Sequence, residues 1–534
     1  MLAVDAPQPQ AHAYDHQAPN AGPRVRLVNA FSQPFNNAIA TARTCYAARV
    51  IDPEEVAASP AQRDAIAAST YIAGHHTTLQ HAHFQFVLED VSRQCLWSFF
   101  HAHPFYNSEQ VSQRYVAVRP DRALVPPLPE PQRTAYQRTL AAQMACYGDL
   151  VALLNEPVAA AYFATFPARR KHAERYARAI RKKAQEVARA ILPVATFAHL
   201  YHTVSGLTLH RYHRLCASLD VPQEVAAVVR GMIAAVDRHD PLFFAQIEDP
   251  IPLEQTQEMQ ILAQLGRLSV GGSSATAFVR EFDAELAGRT ARLVATTDGA
   301  EALIGRSVRA MLGLVNDQMT TAQALALVLD PSQVPSLGGA LNLQTLGKLS
   351  RSLGHVHYTF QQKLSHAADS QEQRHRLTPG ARPILHTHYC GGTPDLVVPA
   401  LIQRVPAALD RFMATATATW QSIDALLDAG VSAEHALYLL PNAFPVRFYA
   451  SGDLAAWHHK WTTRLCYNAQ DEIWAATLDQ VRAVRAVHPQ IGKHLLPPCG
   501  LRQAAGLRPI CPEGTRYCGV PVWKLDLEDY ARLL

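Results

Sequence analysis

The sequence lacks any long apolar run. No segment of its 534 residues is apolar enough over sufficient length to span a bilayer. The amino terminus, "MLAVDAPQPQAHAYDHQAPNAGP", has no basic region followed by an apolar core. From these absences we expect neither a transmembrane helix nor a secretory signal. They predict a cytoplasmic protein with a flexible tail over residues 1–22.

Charge and paired cysteines are also scarce. Charged residues make up 18% of the chain and the formal net charge is +4, so no global field favours nucleic acid or a membrane surface. Any anion site must therefore be local. The nine cysteines are scattered without a disulfide framework, which favours a reducing compartment. Hydrophobic residues at 48% exclude a disordered chain, and the length predicts two or more domains.

An internal repeat is present. The matching blocks are "RLVNAFSQPFNNAIATAR" (26–43) with "RLVATTDGAEALIGRSVR" (292–309), "LQHAHFQF" (79–86) with "LGHVHYTF" (353–360), and "ILPVATFAHLY" (191–201) with "LLPNAFPVRFY" (439–449). Each last block is followed by Arg-Leu-Cys, which begins at Arg214 and Arg464. Because the order is the same in both halves, we expect two related domains.

The pattern of residues predicts helix-rich domains with a few strands. Ala- and Leu-rich stretches such as 222–239 and 468–487 have helical spacing, whereas "HAHFQFVLED" and "VHYTFQQ" alternate as strands do. The predicted divisions are a tail (1–22), a first domain (23–250), a linker (251–288), a second domain (289–490) and a Cys-containing extension (491–534).

Two polar clusters stand at corresponding places in the halves. "SHAADSQEQRHRLTP" (365–379) carries Arg374, His375 and Arg376, with Gln371 at helical spacing before them. The triplet suits phosphate or carboxylate oxygens, although such a cluster is more often a solvated face. In the first half, His101, Ala102 and His103 precede "PFYNSEQVSQRYV", which contains Gln110, Ser112, Arg114 and Tyr115 and on its own is more often a turn.

Together the clusters resemble the flavin-dependent thymidylate synthases, whose signature runs Arg-His-Arg, a short gap, then Ser-x-Arg-Tyr. The second half matches the start of that signature and the first half matches its end. Weaker similarities cover most of residues 25–490: "TARTCYAAR" (41–49), "QHAHFQF" (80–86), "ARAILP" (188–193) and the more specific "RLCYNAQDEI" (464–473).

The resemblance implies a helix-rich α/β (α+β) fold that works as a homotetramer, with each site built from several subunits around FAD and dUMP. Two such domains in tandem would form a covalent pseudo-dimer. The chain would then assemble as a homodimer, that is, a pseudo-tetramer, without nucleic acid or membrane.

The resemblance also explains why the signature is split. One family subunit brings the Gln-x-x-Arg pair and a late arginine to the nucleotide, and a partner brings the Ser-x-Arg end and the arginine before Leu-Pro. The second half keeps the first set and the first half keeps the second set. These predicted substrate residues are Gln371, Arg374, Gln110, Ser112, Arg114 and Arg189, with Arg464 as the catalytic arginine.

The converse combination has lost its residues. His101 and Ala102 replace the arginine-histidine start, "LTPGARPIL" (377–385) replaces the Ser-x-Arg end, and Leu437 stands where Arg189 does. We therefore expect one composite site and one dead reciprocal site.

By resemblance, the reaction is methylation of dUMP to dTMP with FAD, NADPH and methylenetetrahydrofolate. Arg464 would stabilise negative charge on the uracil ring. The implied flavin contacts are Arg374, His375, Arg376 and His459, with His81 and His355 close to the flavin. Asp453 and Ala455 stand where the family has Asn-x-Arg, so Lys460 is a candidate replacement cation.

Two other functions and one other site fit the sequence. The chain could alkylate a different pyrimidine nucleotide, or it could be a non-catalytic nucleotide-binding scaffold. In the carboxyl-terminal extension, His494, Cys499, Cys511 and Cys518 lack a Cys-x2-Cys pair, which favours free thiols over zinc. We therefore predict no metal.

Overall fold

The computed structural model describes residues 22–532 except 103–104, 219, 269 and 345, so the predicted tail lies almost wholly outside the described residues. Its strands form two antiparallel four-stranded sheets. The strands are β1 (Arg24–Ala30), β2 (His83–Ser92), β3 (Tyr106–Gln110), β4 (Phe197–Ser205), β5 (Ala291–Thr296), β6 (His357–Ser365), β7 (Gly380–Ala381) and β8 (Pro445–Asp453). The sheet orders are β1-β2-β4-β3 and β5-β6-β8-β7, so the two sheets have the same topology.

Helices account for most of the remaining structure, which confirms the predicted helix-rich α+β class. Those before the second sheet are α1 (Pro34–Thr44), α2 (Pro53–Ala57), α3 (Pro60–Ile72), α4 (Arg93–Ala102), α5 (Gln132–Thr165), α6 (Ala173–Ala188), α7 (Gly206–Leu215), α8 (Pro222–His239), α9 (Gln257–Gln264) and α10 (Ser273–Leu286). Those that follow are α11 (Ala300–Leu312), α12 (Thr321–Leu329), α13 (His366–Glu372), α14 (Ala400–Gln403), α15 (Pro406–Asp428), α16 (Ala433–Leu437), α17 (Leu454–Arg464), α18 (Asp471–Val487), α19 (Pro489–Gly492) and α20 (Pro498–Ala504). In the described part of the chain, none of them has the length and apolarity to cross a bilayer.

The segment predicted as a linker contains α9 and α10, and α10 packs on the second sheet. Asp283 of α10 accepts hydrogen bonds from Arg447 Nε at 2.8 Å and from Lys363 Nζ at 2.7 Å. Arg447 is almost fully buried, so this ion pair replaces its lost hydration. The contact fixes α10 to strands β6 and β8.

The two halves repeat a buried polar contact as well as their topology. Ser92 ends β2, and its backbone nitrogen and hydroxyl donate to Glu224 at 2.7 and 2.6 Å. At the corresponding place, the nitrogen and hydroxyl of Ser365 donate to Glu472, the latter at 2.6 Å. Each glutamate therefore satisfies the donors at a strand end, where the next helix begins.

The halves meet at the repeated Leu-Pro blocks. Pro193 lies opposite Pro441 in an antiparallel bridge. Val194 N donates to Leu440 O at 2.8 Å, and Asn442 N donates to Leu192 O at 2.8 Å. Beside this pairing, α5 packs along α15, and Thr139 Oγ1 donates to Ser422 Oγ at 2.6 Å. Since buried apolar side chains of both halves form one continuous core, the predicted pseudo-dimer is confirmed.

Candidate functional site

A cleft of about 920 Å³ lies between β3 of the first half and the turn after α13 of the second half. Arg374 donates from both terminal nitrogens to the carboxylate of Glu109, at 3.1 and 2.5 Å. Arg376 donates to Asn107 Oδ1 at 3.3 Å and stacks over the Tyr106 ring at 5.3 Å. The first half therefore positions the cationic triplet of the second.

The triplet does not continue a helix. Helix α13 ends at Glu372, and Arg374 follows in a turn. The expectation from helical spacing, that Gln371 and Arg374 share one face, is therefore wrong: Gln371 points to Gln470 and Arg374 to Glu109. The turn is what lets three adjacent side chains reach three different partners.

His375 lies at the centre of the triplet. Burial, together with the nearby Arg464 and Lys460, holds the pKa of His375 well below its ordinary value. The neutral ring accepts a hydrogen bond at Nε2 from Arg464 Nε, at 2.9 Å. An imidazole that accepts at Nε2 carries its proton on Nδ1. His459 lies beside it, with ring centroids 6.0 Å apart.

Arg464 is fixed by a second bond and by a buried acid. Its Nη2 donates to the Gln371 carbonyl at 3.0 Å, and its Nε lies 3.6 Å from Glu372. Lys460 forms an ion pair with the same carboxylate and is 3% exposed. Lys460 is therefore directed to Glu372 and is not among the residues that line the cleft.

Gln470 joins the two halves. Arg189 of the first half donates from Nη2 to Gln470 Oε1 at 2.7 Å, and Gln371 Nε2 donates to the same oxygen. Asn442 supports this contact by donating to the Arg189 carbonyl at 2.9 Å and to Gln113 Oε1 at 3.1 Å. Arg189 is 6% exposed, and burial lowers its pKa to about 10. Neither Gln470 nor Asn442 was predicted as a site residue, although Gln470 lies within the quoted "RLCYNAQDEI".

Arg114, also of the first half, contacts the second half two residues before Gln470. Its Nη2 donates to the Asn468 carbonyl at 3.0 Å and lies 3.1 Å from Glu186 Oε2. Burial would raise the pKa of Glu186, but Lys183 and Arg114 outweigh that effect and hold it below its ordinary value. Among the described residues, Nε of Arg114 and Nε of Arg189 have no hydrogen-bond partner. Two buried guanidinium donors at this point are therefore not paired by other described residues.

The remaining first-half residues have local partners. Ser112 Oγ accepts from Arg114 N at 3.2 Å, which shapes the turn that carries Arg114. Gln110 Oε1 accepts from Arg93 Nη1 at 2.8 Å. Gln110 is therefore held towards its own half, on the strand that borders the cleft.

His81 and His355 lie outside the assembled cluster. Both are exposed and occupy short 3-10 helices immediately before β2 and β6. The cleft is lined instead by Gln80 and His83. The structure therefore does not bring the two predicted histidines to the cationic triplet.

The reciprocal position contains a closed cluster. His101 Nε2 lies 3.2 Å from Asp369 Oδ2, and Trp97 Nε1 donates to that oxygen at 2.7 Å. Arg382 donates to Asp369 Oδ1 at 2.8 Å and stacks over Phe448 at 4.3 Å. The Ala102 side chain and His103 lie outside the described residues.

Three of the four residues considered for zinc lie together. Cys499, Cys511 and Cys518 line a cavity of about 20 Å³ with Cys466, and all four are free thiols. His494 does not line this cavity. Within the described ranges, no three His, Cys, Asp or Glu side chains are placed to hold a metal ion.

Comparison with known proteins gives the family. The sequence model described as "Thymidylate synthase complementing protein" matches residues 26–242 and 292–490. The flavin-dependent thymidylate synthase of Geobacter sulfurreducens is 30% identical over 169 residues, which cover 31% of this chain and 70% of that protein. Its counterpart in Mycobacterium tuberculosis (strain H37Rv) is 29% identical over 178 residues, or 33% and 66% of the two chains.

A solved structure is also similar: the UMP/dUMP methylase PolB from Streptomyces cacaoi, bound with 5-Br dUMP. It has 16% sequence identity and a TM-score of 0.28, and the match covers 42% of this chain and 93% of that one. At this level the likeness carries no argument about function. The two segments matched by the family model are more than half of the chain, and both contain the same sheet topology. The chain therefore belongs to the flavin-dependent thymidylate synthase family of enzymes, and it carries the family fold twice.

Proposed function

We propose that the protein methylates dUMP to dTMP with FAD, NADPH and methylenetetrahydrofolate, at one composite site per chain. The observation that carries the proposal is the contact at Gln470, where Arg189 of one half meets Gln371 of the other. A site that needs both halves explains why each half kept only part of the family signature. We also propose a cytoplasmic location and a homodimer, and light scattering can test the oligomeric state.

The nucleotide is proposed to lie beside the cluster that Arg189, Gln371 and Gln470 form with one another, near Arg114. Guanidinium groups with unpartnered donors suit a phosphate, and amides suit the edge of a pyrimidine. Arg464 has a different task. His375 and Gln371 hold its guanidinium in a fixed orientation, so it is preorganised to stabilise negative charge on the ring.

The flavin is proposed to occupy the cleft between β3 and the turn after α13. The volume of about 920 Å³ is within the range of cofactor sites, and Arg374, Arg376 and His459 line it. The Arg374–Glu109 pair is exposed, so its energy is small and an anionic ligand can displace it. Bound flavin would supply the reducing equivalents for the methyl group.

One observation favours a second candidate, a nucleotide-binding scaffold without flavin. Asp453 stands at a family flavin contact, yet its carboxylate caps α17 by accepting from Ala456 N at 2.8 Å. The neighbouring Ala455 offers only a methyl group to the cleft. The third candidate, alkylation of another pyrimidine nucleotide, uses the same residues.

The visible absorption spectrum, with and without added FAD, separates these functions. A flavin spectrum that shifts on addition of dUMP supports the proposal, and dTMP formation with NADPH and methylenetetrahydrofolate then tests the reaction. No flavin uptake favours the scaffold, and flavin without dTMP favours another nucleotide. Calorimetric titration with dUMP should give one site per chain. Unchanged dUMP affinity in both Arg374→Ala and Arg114→Ala would exclude the composite site.

A further inference from the structure

A basic cleft lies between the first half and the carboxyl-terminal extension. Its volume is about 470 Å³, which is within the range of small-molecule sites. One wall is formed by the end of α5 and by α6, and the other by residues 513–532 of the extension. None of the described residues lines both this cleft and the one proposed for the flavin. The basic cleft is therefore a separate feature of the molecule.

The lining of this cleft carries an excess of positive charge. Basic side chains outnumber acidic ones by six to two. They are Arg114, Arg169, Lys182, Lys183, Arg516 and Arg532, against Glu186 and Glu513. The formal net charge of the whole chain is only +4, so this excess produces a local field that attracts anions.

Two of the arginines in the lining fix the walls. Arg169 donates from Nη1 to the Tyr162 hydroxyl at 2.6 Å, and its guanidinium stacks 3.7 Å from the centre of the Phe166 ring. Arg532 donates from Nη1 to the Ala469 carbonyl at 3.0 Å. These guanidinium groups hold protein atoms in place, so they give the cleft its shape.

Lys182 and Arg516 stand on opposite walls and have no such role. Lys182 is half-buried, with its Nζ 5.8 Å from the centre of the exposed Tyr115 ring. Arg516 is exposed. In the described part of the chain, neither side chain has an ion-pair partner. A polyanion in the cleft can therefore contact a cation on each side.

Arg114 connects this cleft to the proposed nucleotide site. It lines the cleft, and it donates to the carbonyl of Asn468, two residues before Gln470. Under the proposed function, Arg114 binds the phosphate of the nucleotide. The space next to that phosphate is then the basic cleft.

The wall that carries Arg516 is an addition to the matched domains. The second segment that the family model matches ends at residue 490, and this wall begins at residue 513. Asn468 Nδ2 donates to the Arg516 carbonyl at 2.8 Å. The extension is therefore attached to the same loop that carries Gln470, and it adds a cation beside the nucleotide site.

We propose that the basic cleft binds the additional phosphates of a pyrimidine nucleoside di- or triphosphate whose first phosphate lies at Arg114. Lys182 and Arg516 donate charge-assisted hydrogen bonds to these phosphates from the two walls. Methyl transfer takes place on the base, so further phosphates do not alter that chemistry. The proposal rests on the proposed function, which places the first phosphate at Arg114, and it extends the ligand class from monophosphates to polyphosphates.

Calorimetric titration with dUMP, dUDP and dUTP, without divalent cations, tests the proposal. We expect dUTP to bind about 10-fold more tightly than dUMP, because its additional charges meet two further cations. Lys182→Ala and Arg516→Ala should each reduce this preference about 3-fold, and the double variant should abolish it. Added salt should also reduce the preference, because it screens partly exposed charges. Saturating dUMP should block the binding of dUTP.

Lys171→Ala and Arg508→Ala are the matched controls. Each removes the same type of charge from an exposed position outside the lining of the cleft, so the preference should remain. Circular dichroism checks that every variant is folded. An equal loss of preference in the controls overturns the proposal, because net charge would then explain it.

The other outcomes separate this proposal from the proposed function. Equal affinity of the wild type for dUMP and dUTP overturns the proposal and leaves the proposed function standing. Binding of dUTP at saturating dUMP also overturns the proposal, since the phosphates would then occupy an independent site. If dUTP is preferred as expected but no dTMP forms from dUMP, the proposed reaction fails and the assignment of the cleft stands. Failure of all three nucleotides to bind overturns both.

Discussion

The proposed composite site and its proposed reciprocal differ at three equivalent positions. Arg464 bonds to His375 and Gln371, whereas its counterpart Arg214 pairs with Glu248 at 3.2 Å near the end of the first domain. Arg189 corresponds to Leu437, which is buried among apolar residues. Gln470 lies two residues before Glu472, the glutamate that Ser365 contacts. The equivalent residue, two positions before Glu224, is Pro222. Two of the three positions hold a different residue type in the reciprocal site, and at the third the arginine pairs within its own domain.

Under the proposed function, the position reciprocal to the composite site is filled by internal contacts. Ala381 pairs with Tyr449 as Glu109 pairs with Tyr201, so the next residue, Arg382, stands where Gln110 stands in the first half. There it forms an ion pair with Asp369, which is fully buried. The polar groups at this position therefore have internal partners, as buried polar groups need.

The largest effect is expected from breaking this internal cluster. Asp369→Ala removes the buried carboxylate that binds Arg382 and Trp97 Nε1 and that lies beside His101, and should lower the free energy of unfolding by about 3–5 kcal/mol. Urea denaturation measures the change. Asp149→Ala, which breaks an exposed pair with Arg411, should cost no more than about 1 kcal/mol. Equal costs would show that the reciprocal cluster is not structural.

The two equivalent arginines form the next test. Under the proposed function, Arg464→Ala should reduce kcat for dTMP formation by about 100-fold, because one preorganised charge is lost. Arg214→Ala should leave kcat unchanged, since its partners belong to the first domain alone. Initial rates at saturating dUMP provide the measurement. A similar loss in both variants would mean that both sites work.

Arg189→Leu converts the composite site towards its reciprocal. The substitution removes the charged donor that reaches Gln470, and we expect the dissociation constant for dUMP to rise by about 10- to 30-fold in calorimetry. Leu437→Met is the matched control, because it conserves volume at the equivalent buried position and should leave the affinity unchanged. Tight binding in Arg189→Leu would place the nucleotide elsewhere.

The smallest effect concerns the glutamates at the strand ends. Burial raises the pKa of Glu472 to about 7, against the hydrogen bonds that Ser365 donates. The folded state therefore holds a proton that the unfolded chain releases near pH 4.5, so this stabilisation is present at low pH and is lost as the pH rises through about 7.

Glu472→Gln keeps a neutral group at this position. When the pH rises from about 5 to about 8, the free energy of unfolding should fall by roughly 1 kcal/mol less in this variant than in the wild type. The difference is small because Glu472 is only partly enclosed. Urea midpoints at the two pH values test this. Glu156→Gln, at an exposed site on α5, should follow the wild type. A parallel loss in Glu472→Gln and the wild type would contradict the assignment.

The repeat and the main elements could be predicted from the sequence because they depend on local patterns. The strand pattern located β2 and β6, and the predicted helix at 222–239 agrees with α8. Element ends were harder to predict. Gln371 and Arg374 were predicted to share one face of a helix. They do not, because α13 ends at Glu372, between the two residues.

The partners in the site could not be predicted, because they are distant in sequence. Arg374 meets Glu109, which is 265 residues away, and Lys460 turns to Glu372 instead of the cleft. The block "RLCYNAQDEI" contains Gln470, but the sequence does not reveal that Arg189 and Gln371 both donate to its Oε1. The positions of His81 and His355 could not be predicted either. Both are exposed just before a strand, and neither lines the cleft.

The antiparallel pairing of residues 190–195 with 438–443 also has a genetic consequence. In an assembly of identical subunits, every substitution alters all symmetry-related sites at once, so a damaging change cannot be confined to one of them. Here each half pairs with the other half of the same chain, so a mutation in one codon changes only one of the two halves. Asymmetry can therefore accumulate, and one site can diverge while the other is retained.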